Sequence, residues 1–148
     1  MNEPLILYLL KSLDDERRRF IKHLVLLHDL SKEYMFDVLT DKIQAEIIRQ
    51  SKSPYNLEYA FDILEASERI ACMEITSATI KFIRSHLDSY KVLKALLNDR
   101  HLTIETTLKM KSIVLSKLLD EWPNATLFDE GGDEYKEEAM LLAKELCN

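Results

Sequence analysis

Glycine is almost absent from this chain of 148 residues, which contains only 2, at the adjacent positions Gly131 and Gly132. An average globular composition would supply about ten. β-Sandwiches and barrels need Gly, Asn or Pro at many tight turns, and dinucleotide folds and P-loops need glycines where the backbone approaches phosphate. The scarcity therefore argues against all of these architectures.

The apolar residues instead follow a helical period along most of the chain. They recur three and four positions apart, as in Phe20, Ile21, Leu24 and Leu27, and no long stretch alternates with a period of two. The sequence predicts an all-α fold, a compact multi-helix bundle of about nine mostly short helices. Their expected ranges are 5–12, 15–29, 32–39, 41–51, 54–67, 73–87, 90–98, 104–121 and 134–146.

Polar residues that can cap a helix mark several of these starts. Thr40, Thr103 and either Asp88 or Ser89 precede periodic runs, and Ser53 with the following Pro54 is typical of an N-cap and first helical residue. The connections are too short for a flexible linker. We therefore expect one domain over 1–148, with a main bundle over 1–122, an acidic loop over 123–133 and a terminal docked helix over 134–148. Trp122 is expected to anchor that terminal helix.

Composition indicates the cellular compartment in which we expect the protein to act. Hydrophobic residues make up 47% and charged residues 31%, and the two cysteines, Cys72 and Cys147, lie far apart. A chain of this length can bury a core without disulfides, so we expect an intracellular protein, cytoplasmic or nuclear. The opening apolar run is short and lacks a basic flank, so it does not predict a signal peptide, and no window is apolar enough to predict a membrane span.

Negative charge is concentrated near the C-terminus. Residues 120–138 hold eight acidic side chains against the single Lys136, a net charge of -7 in a chain whose total is -6. Such a patch repels nucleic acid and favours a basic protein surface, but a solvated loop before a helix with an acidic first turn is the simpler explanation of it. The candidate partner-binding residues here are Asp129, Glu130, Asp133 and Glu134.

A basic group of opposite sign lies near the N-terminus. Arg17, Arg18, Arg19 and Lys22 form this group, and acidic residues at 14–16 stand three or four positions before the arginines. The spacing predicts ion pairs along one helix, which would be a purely structural role. The functional alternatives are an acidic protein surface or phosphate as the ligand of this group.

Residue patterns for catalysis or metal binding are lacking. His23 and His28 are five positions apart, which does not suit two ligands of one ion, and no serine lies in a Gly-flanked nucleophile elbow. Cys72 is expected to be a buried small side chain, and His86 a core histidine on an apolar stripe. We therefore predict neither an enzyme nor a bound cofactor or metal.

Two stretches resemble known helical families. The segment from Phe82 to Glu105 resembles the opening helices of caspase-recruitment domains, which associate with their own kind, and Val38-Leu39-Thr40 and Ala60-Phe61-Asp62-Ile63-Leu64 look similar to later landmarks of that family. The stretch from Leu64 to Ser89 resembles the helical end of a BTB domain running into a BACK domain. The two resemblances exclude each other, and the sequence assigns no family.

These features together favour one class of function. We expect an intracellular helical protein–protein interaction module or adaptor that is not an enzyme, whose partner is another protein or a second copy of itself. The alternative is a helical regulator of nucleic-acid transactions that contacts phosphate through the Arg17–Lys22 group, which the net negative charge disfavours. A membrane partner is not expected.

Overall fold

A computed structural model describes residues 3–121 and 132–147, and within those ranges the chain is all-α, as predicted. The described residues form seven helices rather than the expected nine or so. They are α1 (Glu3–Glu33), α2 (Asp37–Ser51), α3 (Leu57–Ile70), α4 (Met73–His86), α5 (Tyr90–Leu97), α6 (Ile104–Glu121) and α7 (Gly132–Cys147).

The difference in number arises at the N-terminal end of the chain. The predicted helices 5–12 and 15–29 are one continuous helix, α1, because no glycine or proline interrupts the chain between Leu5 and Glu33. The predicted helix 32–39 is wrong as well, since a turn at 34–36 separates α1 from α2. Thr40 is not an N-cap: it lies inside α2 and its hydroxyl donates to the carbonyl of Phe36 at 3.0 Å.

Turns that other proteins close with glycine use different residues here. Met35, Ala71 and Asp99 adopt positive φ angles of 60°, 55° and 61°. Ala71 ends α3 in the left-handed conformation, and its N–H and that of Cys72 donate to the carbonyls of Glu68 and Ser67. This is a Schellman-type helix end without its usual glycine, so the backbone there is strained.

Of three other predicted helix starts, one is wrong and two are confirmed. α3 is capped by Asn56, whose side chain accepts from the N–H of Tyr59 at 2.7 Å, so the prediction of Ser53 and Pro54 for this role is wrong. Ser89 caps α5, and Thr103 accepts from the N–H of Thr106 ahead of α6. The bounds of α6 are those predicted.

Contacts along the chain divide it into two compact units, residues 1–82 and 83–148. In the first unit α1 packs against both α2 and α3, and α2 also contacts α3. Its hydrophobic core joins Ile21 and Val25 of α1 to Ile47 of α2 and to Tyr59 and Ile63 of α3. All five side chains are buried.

The second unit contains α5, α6 and α7. α6 contacts both α5 and α7. Its buried side chains include Leu93 on α5, Met110 and Val114 on α6, and Ala139 and Leu142 on α7. The predicted terminal helix therefore packs against α6, while its predicted anchor Trp122 and residues 123–131 of the acidic loop lie outside the described residues. The single-domain organisation stays a prediction.

Candidate functional site

The basic group of α1 is divided by the structure into one structural residue and three exposed ones. Arg18 donates from Nε to Oδ2 of Asp62 at 2.6 Å and from Nη2 to Oδ1 at 3.3 Å, and it also contacts Glu58 at 3.1 Å. The Asp62 side chain is only 4% exposed. The hydrogen bond to Asp62, against the opposing effect of desolvation, raises the pKa of Arg18. Arg18 therefore joins α1 to α3.

This geometry corrects the ion pairs expected from spacing. The spacing predicts that Arg18 pairs with an acid four positions earlier on its own helix, whereas its carboxylate partners belong to α3. Arg19 and Lys22 are exposed and form no ion pair with any residue that the structure describes. They keep the charge that the hypothesis of a binding patch requires.

Arg17 lies at a groove of about 830 Å³ between α1 and the end of α2, which we call the basic groove. Its guanidinium lies over the ring of Tyr55, 4.8 Å from the centroid. The lining side chains are Glu16, Arg17, Phe20, Arg49, Gln50, Lys52, Ser53, Tyr55 and Tyr59. Three cations and one carboxylate thus face this groove.

The two tyrosines of the basic groove are held in their neutral form. Burial raises the pKa of Tyr55 and of Tyr59 to about 12. The Tyr59 hydroxyl donates to Oε1 of Gln50 at 2.9 Å, and the Tyr55 hydroxyl donates to the carbonyl of Asp14 at 3.4 Å. Because neither phenol ionises near neutral pH, neither reduces the positive charge of the groove.

An exposed apolar row runs beside this groove along α1. It consists of six side chains, 44% to 65% exposed, which we call the α1 seam: Leu9, Leu13, Phe20, Leu27, Leu30 and Tyr34. Four of them, at 13, 20, 27 and 34, are seven residues apart. The second position of the same heptad holds Leu9 and Leu30 toward the two ends of the seam and the polar residues Glu16 and His23 between them. This is the spacing of a helix that packs against another helix.

Helical periodicity alone does not reveal the seam, because Phe20 and Leu27 fit the same apolar stripe as Ile21 and Leu24. Only Ile21 and Leu24 are buried. The heptad recurrence at 13, 20, 27 and 34 was the signal that could have separated the two faces of α1, since the core residues do not share that register.

The apolar surface continues past the end of α1. Met35, Phe36 and Val38 are 83%, 59% and 70% exposed. Phe36, Val38 and Leu39 line a shallow hollow of about 390 Å³ together with Asp37 and Lys42. The exposed apolar surface therefore extends from α1 around the turn and onto the first turn of α2.

Only two of the four acidic candidates lie among the described residues. Asp133 and Glu134 belong to the first turn of α7, whereas Asp129 and Glu130 lie outside the described ranges. The role predicted for these four residues stays a prediction.

The histidines and cysteines differ in part from expectation. His86 is exposed rather than in the core, because the neighbouring Leu87 takes the buried position. His28 is the buried histidine, and its Nδ1 finds no hydrogen-bond partner in the part of the chain that the structure describes. Cys72 is buried, as expected, and Cys147 is exposed. Among the described residues no cluster of His, Cys, Asp and Glu could hold a metal ion.

Two findings beyond the site bear on identity. In the described ranges, no helix combines the length and the hydropathy needed to cross a membrane. Compared with known proteins, the chain matches no family model, and neither a curated protein nor a solved structure is significantly similar to it.

Proposed function

We propose that this protein is a non-catalytic interaction module that binds an amphipathic helix of another protein along the α1 seam. The observation that carries the proposal is the seam itself. Counting about 100 Å² for each half-exposed side chain, its six residues present roughly 600 Å² of apolar surface, at the upper limit of the patches usual on monomers. With the turn at 34–36 the patch approaches the ~800 Å² that each partner contributes to a standard interface.

A helix is the occupant that fits the spacing and the length. From Leu9 to Tyr34 the seam extends about 38 Å, at ~1.5 Å for each residue. Heptad spacing keeps the four side chains at 13, 20, 27 and 34 facing a partner helix, whereas a strand or a loop would meet only some of them. Protein partners that bind helices in this way present anchors with the same three- and four-residue intervals.

A second copy of this chain fits the seam less well than a different protein does. Arg17 and Arg19 lie to either side of Phe20, near the middle of the seam. Pairing two copies of α1 in register, or antiparallel about this midpoint, would bring these cations of both copies close together. The charge favours a partner of opposite sign.

The alternative of a nucleic-acid ligand would require Arg18 to contact phosphate. Arg18 would be in the middle of a phosphate-binding group, but its Nε, Nη1 and Nη2 atoms already donate to the carboxylates of Asp62 and Glu58. The exposed apolar side chains of the seam would form no favourable contact with a phosphate backbone, so we favour a protein partner.

Affinity capture with identification of bound proteins by mass spectrometry tests this function. The test variant Leu13→Glu/Leu27→Glu places charge on the seam, and the control variant Leu119→Glu/Met140→Glu changes side chains that are equally exposed on α6 and α7. We expect a specific partner to be lost with the seam variant and kept with the control, and to bind the purified chain directly. Equal capture by the parent and both variants would contradict the proposal, and so would a dimer of the purified chain that the seam variant dissociates.

A further inference from the structure

We infer that the partner helix is acidic along one flank and that the basic groove receives its carboxylates. The inference rests on the proposed function, because the groove borders the α1 seam on which the partner helix would lie. What joins the two is Phe20, which is both a member of the seam and a lining residue of the groove.

The arrangement of the cations supports this assignment. Arg17 forms no ion pair with any residue in the described ranges, but its guanidinium is positioned over the Tyr55 ring. A guanidinium stacked in this way leaves the N–H groups at its edge available to a carboxylate, with less side-chain entropy to lose on binding. Lys52, exposed and likewise without an ion pair among the described residues, supplies a second charge in the groove.

The remaining lining residues do not cancel this charge. Arg49 is paired with Glu46 on its own helix, so it adds little net attraction, and Glu16 is the single carboxylate of the lining. The neutral tyrosines contribute polar and aromatic surface only. The groove therefore keeps a net positive character directly beside an apolar row.

A helix seated on the seam would place its flanking residues at this groove. Side chains that border a heptad seam are the ones that pair across a helix–helix interface and set the choice of partner. Glutamate at those positions would meet Arg17 and Lys52, whereas lysine would meet like charge. On the opposite side of the seam Arg19 favours the same sign.

The experiment uses two synthetic peptides of 21 residues with the same leucine seam. One carries Glu and the other Lys at every flanking position, with all other residues identical. Fluorescence anisotropy of each labelled peptide, titrated with the full chain at low ionic strength, should show the Glu peptide bound at least roughly tenfold more tightly. The difference should shrink at high salt, where exposed charges are screened.

Charge-reversal variants locate the effect. We expect Arg17→Glu/Lys52→Glu to weaken binding of the Glu peptide by roughly tenfold, and Arg84→Glu/Lys109→Glu, which makes the same change in net charge on exposed residues of α4 and α6, to leave it unchanged. Arg18 is left intact because its ion pairs support the fold. Circular dichroism of each variant confirms that the helices are retained.

The possible failures are distinct. Equal binding of both peptides, unaffected by the groove variant, would overturn this inference and leave the proposed function standing. Binding of neither peptide would overturn both. If a labelled oligonucleotide instead bound the parent and the groove variant abolished that binding, the groove would belong to a phosphate ligand and the inference would be wrong.

Discussion

The ion pair between Arg18 and Asp62 provides a sharp test of how the first unit is held together. Replacing Arg18 with Met keeps the aliphatic stem and leaves a carboxylate that is 4% exposed without its principal cation. Removing one partner of a buried pair costs ~3–5 kcal/mol, and since 29% of the Arg18 side chain is exposed we expect the lower end, about 3 kcal/mol. The contact with Glu58, whose side chain is 56% exposed, adds little.

Urea denaturation followed by far-UV circular dichroism measures this loss as a change in the midpoint. The matched control is Arg49→Met, because Arg49 forms an exposed pair with Glu46 on the same helix and should cost less than about 1 kcal/mol. The double variant Arg18→Met/Asp62→Leu should recover much of the loss, since it removes the buried charge together with its partner. Equal effects of Arg18→Met and Arg49→Met would refute the argument that Arg18 is structural.

Three further predictions concern other parts of the structure. Ala71→Gly removes the backbone strain at the left-handed end of α3 and should raise the free energy of unfolding by about 1 kcal/mol, or the melting temperature by ~2–4 °C. A lower melting temperature would show that Ala71 is not strained. His28→Leu removes a buried nitrogen, Nδ1, that has no hydrogen-bond partner among the described residues. Urea denaturation should therefore show an unchanged or increased free energy of unfolding. A loss of more than about 1 kcal/mol would show that Nδ1 of His28 does form a hydrogen bond. The Tyr90 hydroxyl and Lys111 donate to the carboxylate of Glu145 at 2.5 Å and 3.0 Å, and these contacts lower the pKa of Glu145. The stability that Glu145 contributes should therefore be fully present above its unfolded pKa of about 4.3. It should be lost as the pH falls through the lower pKa of the folded state. Thermal melts between pH 7 and 3 should therefore show a weaker pH dependence for Glu145→Gln, and identical profiles would exclude this contribution.

The sequence was most informative where local signals agreed with one another. For α6, the cap at Thr103, the regular apolar period and Pro123 beyond the end all pointed to the same 18 residues. Scarce glycine correctly excluded the turn-rich architectures, yet it could not show that Met35 and Ala71 would occupy left-handed positions. Those conformations depend on how the adjoining helices pack, which no local preference encodes.

The sequence was least informative about α1, for a physical reason. This helix carries apolar residues on two faces, and periodicity reports that a face is apolar without reporting what covers it. Ile21 is buried and the adjacent Phe20 is 44% exposed, although both fit an amphipathic pattern. The contacts with α2 and α3 decide between the two faces, and these contacts are tertiary.

The basic group shows that spacing along the sequence does not determine which charged residues pair. Arg18 could pair locally or across helices at the same spacing, and burial of Asp62 on α3 decides the outcome. The three arginines therefore differ in their surroundings, since Arg18 pairs with α3 whereas Arg17 and Arg19 are exposed. Reversing all three would break the fold as well as any binding, so binding tests must spare it.

Whether the α1 seam binds a helix is decided by mapping which residues a bound peptide contacts. Titrating the unlabelled Glu peptide into the ¹⁵N-labelled full chain and following backbone amide shifts by NMR reports each residue separately. We expect the largest shifts around Leu13, Phe20 and Leu27 and at the basic groove, with small changes near Leu119 and Met140. Shifts concentrated on α6 and α7, or no shifts at any peptide concentration, would contradict this expectation.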